Sequence, residues 1–103
     1  MTYIIIMTEH SKSDLINIET YISETLHEPV FGKNTIEGIL KQVFSLSILP
    51  KRNPVIEEIG FINREIRKIL AGNFIIFYLV VDERQTVVIL RVIYKKREWE
   101  NLL

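Results

Sequence analysis

The sequence predicts an α+β fold: an N-terminal strand, an antiparallel helical hairpin, then a three-stranded antiparallel meander, with the helices packed on one face of the sheet. Three observations predict it. Tyr3–Thr8 is a short, nearly all-apolar run rich in isoleucine. Between Ser11 and Pro50 apolar residues recur at helical spacing, interrupted at Pro29 and Gly32. From Arg64 onward, β-branched runs alternate with turn residues at Gly72-Asn73 and with the polar stretch Asp82-Glu83-Arg84-Gln85.

Each element has its own signal. The density of isoleucine in Tyr3–Thr8 predicts a strand buried on both faces. Ser11 or Ser13 supplies a helix cap, with Asp14 in the first turn. Leu15, Ile18, Ile22 and Leu26 then form one apolar stripe, with Glu19 and Glu24 off it. Pro29 is expected to end this helix and Gly32 to turn the chain. A second helix is predicted from Lys33–Thr35, carried by Ile36, Ile39, Leu40, Val43 and Phe44 and stopped by Pro50. Lys51–Pro54 reads as a basic loop and Val55–Asn63 as irregular chain or a weak strand. Arg64–Ala71 mixes charges with Ile66, Ile69 and Leu70, as an edge strand does. Phe74–Val81 is apolar on both parities and belongs in the centre of the sheet, with Thr86–Tyr94 beside it.

A chain of 103 residues has the length of one domain, 1–103. At 48% hydrophobic residues it holds enough apolar material for one continuous core. It contains no cysteine, which excludes disulfides and fits a reducing cytoplasm. The apolar start is too short for a signal peptide, lacks a basic flank, and is followed by no small-residue cleavage pattern. No run approaches the roughly 20 apolar residues of a membrane span. A cytoplasmic protein without membrane attachment is expected.

Net charge is zero, which argues against a general nucleic-acid binder, but the charge is unevenly placed. Residues 1–63 carry five basic and eight acidic side chains, and residues 64–103 carry eight basic and five acidic. The C-terminal end therefore offers a basic surface to an anionic partner. Lys95, Lys96 and Arg97 continue the last strand without a break, which is also how a solvated strand end reads. Arg91 stands within an otherwise apolar strand, on a face shared with Val87, Ile89 and Ile93. A lone buried charge is costly, so Arg91 must reach solvent, a ligand or an acidic partner, for instance one in the meander. His10 and His27 flank the first helix and read as surface or capping residues away from the meander. Glu57 and Glu58 stand in no metal-ligand spacing, and no metal or cofactor is expected.

Three stretches together resemble a known family. Ser13-Asp14-Leu15, running through Ile18, Tyr21 and Ile22, is similar to its opening helix, and Leu46 to Pro50 to the end of its second. The third runs from Arg67 to Gly72, through Asn73-Phe74-Ile75-Ile76-Phe77-Tyr78, to Ile89–Trp99 and Leu102-Leu103. In order and spacing, over nearly the whole chain, these resemble the RelE/ParE toxins of type II toxin–antitoxin pairs in bacteria, and more closely the ParE branch. Two positions depart from the pattern. Many members carry arginine where this chain has Ile75, and ParE-like members often have histidine where it has Tyr94.

The resemblance implies a growth-inhibiting toxin silenced by a cognate antitoxin lying against Leu15, Ile18, Ile22, Ile39, Val43 and Leu102, and reaching operator DNA only through that antitoxin. The ParE-like ending implies interference with DNA gyrase by protein contact through Arg91, Lys95, Lys96, Arg97 and Trp99, with no reaction performed by the toxin. The alternative, as in the RelE branch, is a metal-independent endonuclease that cuts mRNA on the ribosome with Arg67, Arg91, Tyr94, Lys96 and Arg97. Such cleavage needs a base, an acid and cations on the phosphate. Of these side chains only Tyr94, with an ordinary pKa near 10, or a lysine of much lowered pKa moves a proton. A third reading is a degenerate member that binds an antitoxin and no longer harms the cell.

Overall fold

The computed structural model describes residues 2–57 and 65–97. Strand β1 (Ile4–Met7) leads into helix α1 (Glu9–Thr20), which passes through a π-helical turn at Tyr21–Thr25 to helix α2 (Pro29–Ser45). Strands β2 (Arg67–Ala71), β3 (Phe74–Val81) and β4 (Thr86–Tyr94) follow. The sheet order is β1-β4-β3-β2. The meander is antiparallel, and β1 lies parallel to β4, so the sheet is mixed. The expected order of strand, helical hairpin and meander is the one the chain adopts.

The alternation of side chains across the sheet builds two apolar layers. On one face Ile76, Tyr78, Val87, Ile89 and Val92 pack against Ile39, Val43 and Leu46 of the hairpin. On the other, Ile75, Phe77 and Ile93 pack against Ile56 and Ile66. These two come from the chain that joins the hairpin to β2, where the Ile56 N–H donates to the Ile66 carbonyl at 2.7 Å.

Four local readings change. β1 is not buried on both faces: it forms a sheet edge, Ile5 and Met7 pack inward, and Ile4 and Ile6 are 63% and 50% exposed. Helix α1 starts before both serines, because Thr8 accepts the Ser11 N–H at 3.1 Å and is the cap. Pro29 does not stop a helix but starts one, at a first-turn position where its missing N–H has no partner to lose. The reversal occurs just before it, at His27, whose φ is +57°. Gly32 accordingly lies inside α2, where a Cβ would stand 2.5 Å from Ser23 Oγ, so its role is close helix approach and not a turn. Of the ambiguous stretch, Val55 forms a single antiparallel bridge to Arg67, and residues 58–63 lie outside the described residues.

Side-chain bonds fix the end of the molecule where α2 meets β1. The Tyr3 hydroxyl donates to Asp82 at 3.0 Å, and Lys51 pairs with the same carboxylate. Lys51, then Tyr3, hold the Asp82 carboxyl below the ordinary carboxylate range. No helix among the described residues is long and apolar enough to cross a membrane.

Candidate functional site

The site begins at an irregularity in β4. Phe77 pairs with Arg91 and Tyr78 with Ile89, which leaves Leu90 without an opposite residue: a β-bulge. The bulge resets the alternation, so Ile89 and Val92 face the same layer although three positions separate them. Val87 and Ile89 therefore face the opposite layer from Ile93, and the single face expected for Val87, Ile89, Arg91 and Ile93 is broken at the bulge. The backbone groups displaced by the bulge are taken up by the start of α1. The Thr8 hydroxyl donates to the Leu90 carbonyl at 3.1 Å, and Asp14 Oδ2 accepts the Val92 N–H at 2.9 Å.

Asp14 is also the partner of Arg91. Nε donates to Oδ2 at 2.8 Å and Nη2 to Oδ1 at 3.0 Å, with side chains only 13% and 10% exposed. The expected internal ion pair exists, but its carboxylate comes from α1 and not from the meander. A two-point contact of this kind fixes direction as well as charge.

Beside this pair an open groove of about 1370 Å³ separates the helical hairpin from the β2–β3 turn and the end of β4. Ile18, Ile22, Leu26 and Phe31 give it an apolar wall on the hairpin side, and Phe74 and Tyr94 one on the sheet side. Phe74 and Tyr94 are cross-strand partners whose rings meet edge to face at 5.7 Å. Past Tyr94 the chain turns, the Lys95 N–H donating to Asn73 O at 2.9 Å and the Arg97 N–H to Tyr94 O at 3.0 Å. This turn sets Arg97 on the lip of the groove, while Lys95 and Lys96 stay exposed outside it. His10 lies on the same groove wall.

The sequence profile described as the ParE toxin of type II toxin-antitoxin systems, parDE, matches residues 5–99. The chain belongs to the ParE toxin family. Solved structures of the same fold include the chromosomal ParDE system from P. aeruginosa, at 18% identity and TM-score 0.72, over 90% of this chain and 96% of that one. The RelBE2 complex from Mycobacterium tuberculosis aligns at 21% identity and TM-score 0.68, over 94% of this chain and 95% of its own. The archaeal RelE–RelB complex from Pyrococcus horikoshii aligns at 15% identity and TM-score 0.65, over 94% and 99%. No curated protein sequence matches the chain.

In this ParE-family chain the residues suggested for phosphate chemistry do not all meet. Arg91, Tyr94 and Arg97 line the groove. Arg67 does not: four positions along β2 from the groove end, roughly 13 Å away, its Nη1 donates to the Asn53 carbonyl at 2.5 Å. Lys96 is exposed beyond the lip. Position 75 faces the second apolar layer, opposite the groove, and Ile75 is 5% exposed there. An arginine at this position would not point into the groove. His10 is the groove residue that the sequence hid. The pairing of β1 with β4, which starts α1 at the bulge, places it in the lining of the same groove as Tyr94 and Arg97. Among the described residues no cluster of three metal-ligating side chains occurs.

The apolar stripe assigned to a partner is divided in the same way. Ile39 and Val43 are 1% and 0% exposed in the core between hairpin and sheet, and Ile22 is 6% exposed. Leu15 and Ile18 are half-buried against the same core. Folding itself uses this stripe, so what the hairpin leaves open lies beside it: Tyr21, Leu26, Val30 and Phe31, each about half exposed or more. Trp99 and Leu102 lie outside the described residues.

Proposed function

We propose that this ParE-family protein is a growth-inhibiting toxin that an antitoxin silences by laying a segment in the groove, and that its free form interferes with DNA gyrase by protein contact. The observation that carries the reading is the groove itself, an open apolar channel of about 1370 Å³ that ends on a basic lip at Arg97. A segment that folds on binding gains affinity from such a channel, and acidic residues on it gain from the lip. The solved relatives support a partner of this kind, being structures of toxin–antitoxin systems. Operator DNA is reached only through that antitoxin.

Gyrase contact is favoured over RNA cleavage because two of the cations available for a phosphate have other work. Arg91 is paired with Asp14, and Arg67 holds the loop at Asn53. One observation favours the second reading, a ribosome-dependent mRNA endonuclease: His10, of the residue type most often used for acid–base work, lines the same groove as Tyr94 and Arg97.

The test is expression of the chain without an antitoxin, with growth, plasmid supercoiling and integrity of translated messages followed together. Arrested growth with relaxed plasmids and intact messages is expected. Cut messages with normal supercoiling select the endonuclease reading, and undisturbed growth overturns both.

A further inference from the structure

The sheet has two edges, and the chain treats them differently. β2 carries the exposed Lys68, and Val55 bridges to Arg67 on its outer side; both features blunt an edge against a further strand. β1 has neither. From Thr2 to Thr8 there is no charged side chain and no proline. Ile4 and Ile6, on the face away from the hairpin, are 63% and 50% exposed.

The backbone of β1 states what kind of occupant this edge takes. The Ile4 N–H donates to Gln85 O at 2.8 Å and the Thr8 N–H to Ile89 O at 3.1 Å, so even-numbered residues bond inward to β4. Odd-numbered residues bond outward. The Tyr3 N–H is taken by Ser47 O at 2.8 Å. The N–H and C=O groups of Ile5 and Met7 have no hydrogen-bond partner among the described residues. Donors and acceptors repeating along an apolar edge are a template for another strand.

We propose that β1 pairs antiparallel with β1 of a second copy, with Ile6 of one copy set against Ile6 of the other. In this register Ile5 faces Met7 of the other copy on both sides of the two-fold axis, and each such pair exchanges both N–H···O=C bonds. Every outward group of Ile5 and Met7 is then bonded. The two Ile6 residues form the pair without hydrogen bonds, where side chains come closest and Cα atoms stand about 4.5 Å apart. Their exposed side chains cover each other, and no like charges meet, because the strand has none. The length fits as well. Ser47 closes the edge at Tyr3, opposite residue 9 of the other copy, and there the other copy has left its strand for α1.

The blunted β2 edge stops association at two copies, in one continuous sheet with both hairpins on the same face. None of Ile4–Met7 lines the groove, so the proposal is independent of the toxin reading.

The full chain contains no cysteine, so a single introduced thiol reports on the register. Ile6→Cys sets two sulfurs across the axis, at a Cα separation of about 4.5 Å that a disulfide spans. Ile16→Cys, exposed on α1, is the control for random collision. Ile6→Lys puts like charges at the axis, in an exposed edge position where lysine is a natural guard, and its urea midpoint checks folding. Sedimentation equilibrium is expected to show a monomer–dimer equilibrium for the wild type, weakened about tenfold or more by Ile6→Lys. Oxidation should give a covalent dimer of Ile6→Cys and none of Ile16→Cys. A wild type that stays monomeric overturns the proposal, as does a dimer that survives in folded Ile6→Lys. Equal crosslinking of the two cysteine variants, or wild-type species larger than a dimer, overturns it too. If Ile6→Lys lowers the urea midpoint, the two cysteine variants decide alone. A monomeric wild type whose folded Ile6→Lys variant no longer co-purifies with an antitoxin overturns it in favour of an antitoxin strand at this edge.

Discussion

Asp14 and Arg91 are joined at both carboxylate oxygens, at 2.8 Å and 3.0 Å, and Asp14 also takes the Val92 N–H at 2.9 Å. One side chain from α1 thereby neutralises the charge in β4 and satisfies the backbone at its bulge. The bulge in turn sets Val92 and Tyr94 on the groove side. The ion pair is the hinge point between core and site.

Asp14→Ala leaves Arg91 and the Val92 N–H without this partner in a nearly buried place, and breaking such a pair costs about 3–5 kcal/mol. A loss of that size in urea unfolding is expected. Asp14→Ala combined with Arg91→Met removes the charge that Asp14 neutralises and should recover more than half of it, since the two effects are not additive. Equal destabilisation of the single and double variants would mean that the Val92 bond, not the ion pair, carries the energy.

Tyr78 supplies a prediction in pH. Its hydroxyl is fixed between Pro50 O and the Asn53 side chain, and burial first of all pushes its pKa up. The folded protein holds this proton more tightly than the unfolded chain does, so the contribution is complete below the ordinary tyrosine value near 10 and is lost as the pH climbs toward the raised one. Tyr78→Phe should cost about 1–2 kcal/mol at neutral pH through its lost hydrogen bonds. The gap between wild type and variant should close above about pH 10 in pH-dependent unfolding.

The fold was legible where one signal sufficed. Gly72-Asn73 and Asp82–Gln85 separate strands that the structure places where the β-branched runs lie. Errors arose where two residues were equally good at one job. Thr8, Ser11 and Ser13 are all competent caps, and Pro29 both stops and starts helices; only tertiary position decides between such readings. The site was less legible for a different reason. In an apolar strand such as β4 a bulge leaves no trace in the pattern, and the carboxylate that answers Arg91 lies 77 positions away. An aspartate in a first helical turn reads as a match for the helix dipole. His10 stayed hidden with it, one turn earlier on the same helix.

Gly32 sets the approach of α2 to α1. A Cβ there meets Ser23 Oγ at 2.5 Å, while the nearest backbone atoms, Glu19 O and Ser23 N, stand at an ordinary 3.4 Å. Ser23 is bonded to the Glu19 carboxylate and must give up that position. The clash costs about 1–3 kcal/mol and the better helix propensity of alanine returns about 1. Gly32→Ala should therefore destabilise by about 1 kcal/mol. With Ser23→Ala the obstacle is gone and the same substitution should stabilise by about 0.5–1 kcal/mol, read by thermal or urea unfolding.

The basic turn divides into two parts with separate effects. Arg97 lines the groove, whereas Lys95 and Lys96 are exposed and outside its lining. If an antitoxin segment fills the groove, Arg97→Ala removes a rim contact worth about 0.5–1 kcal/mol, a two- to fivefold loss of affinity that shrinks with added salt. Lys95→Ala with Lys96→Ala should leave antitoxin affinity within twofold and weaken growth arrest, because these side chains remain free for the target when the groove is full. Titration calorimetry at two salt concentrations and plating of the same variants separate the effects. Equal loss of antitoxin affinity in both variants would place the segment across the whole turn, so that one surface serves antitoxin and target alike.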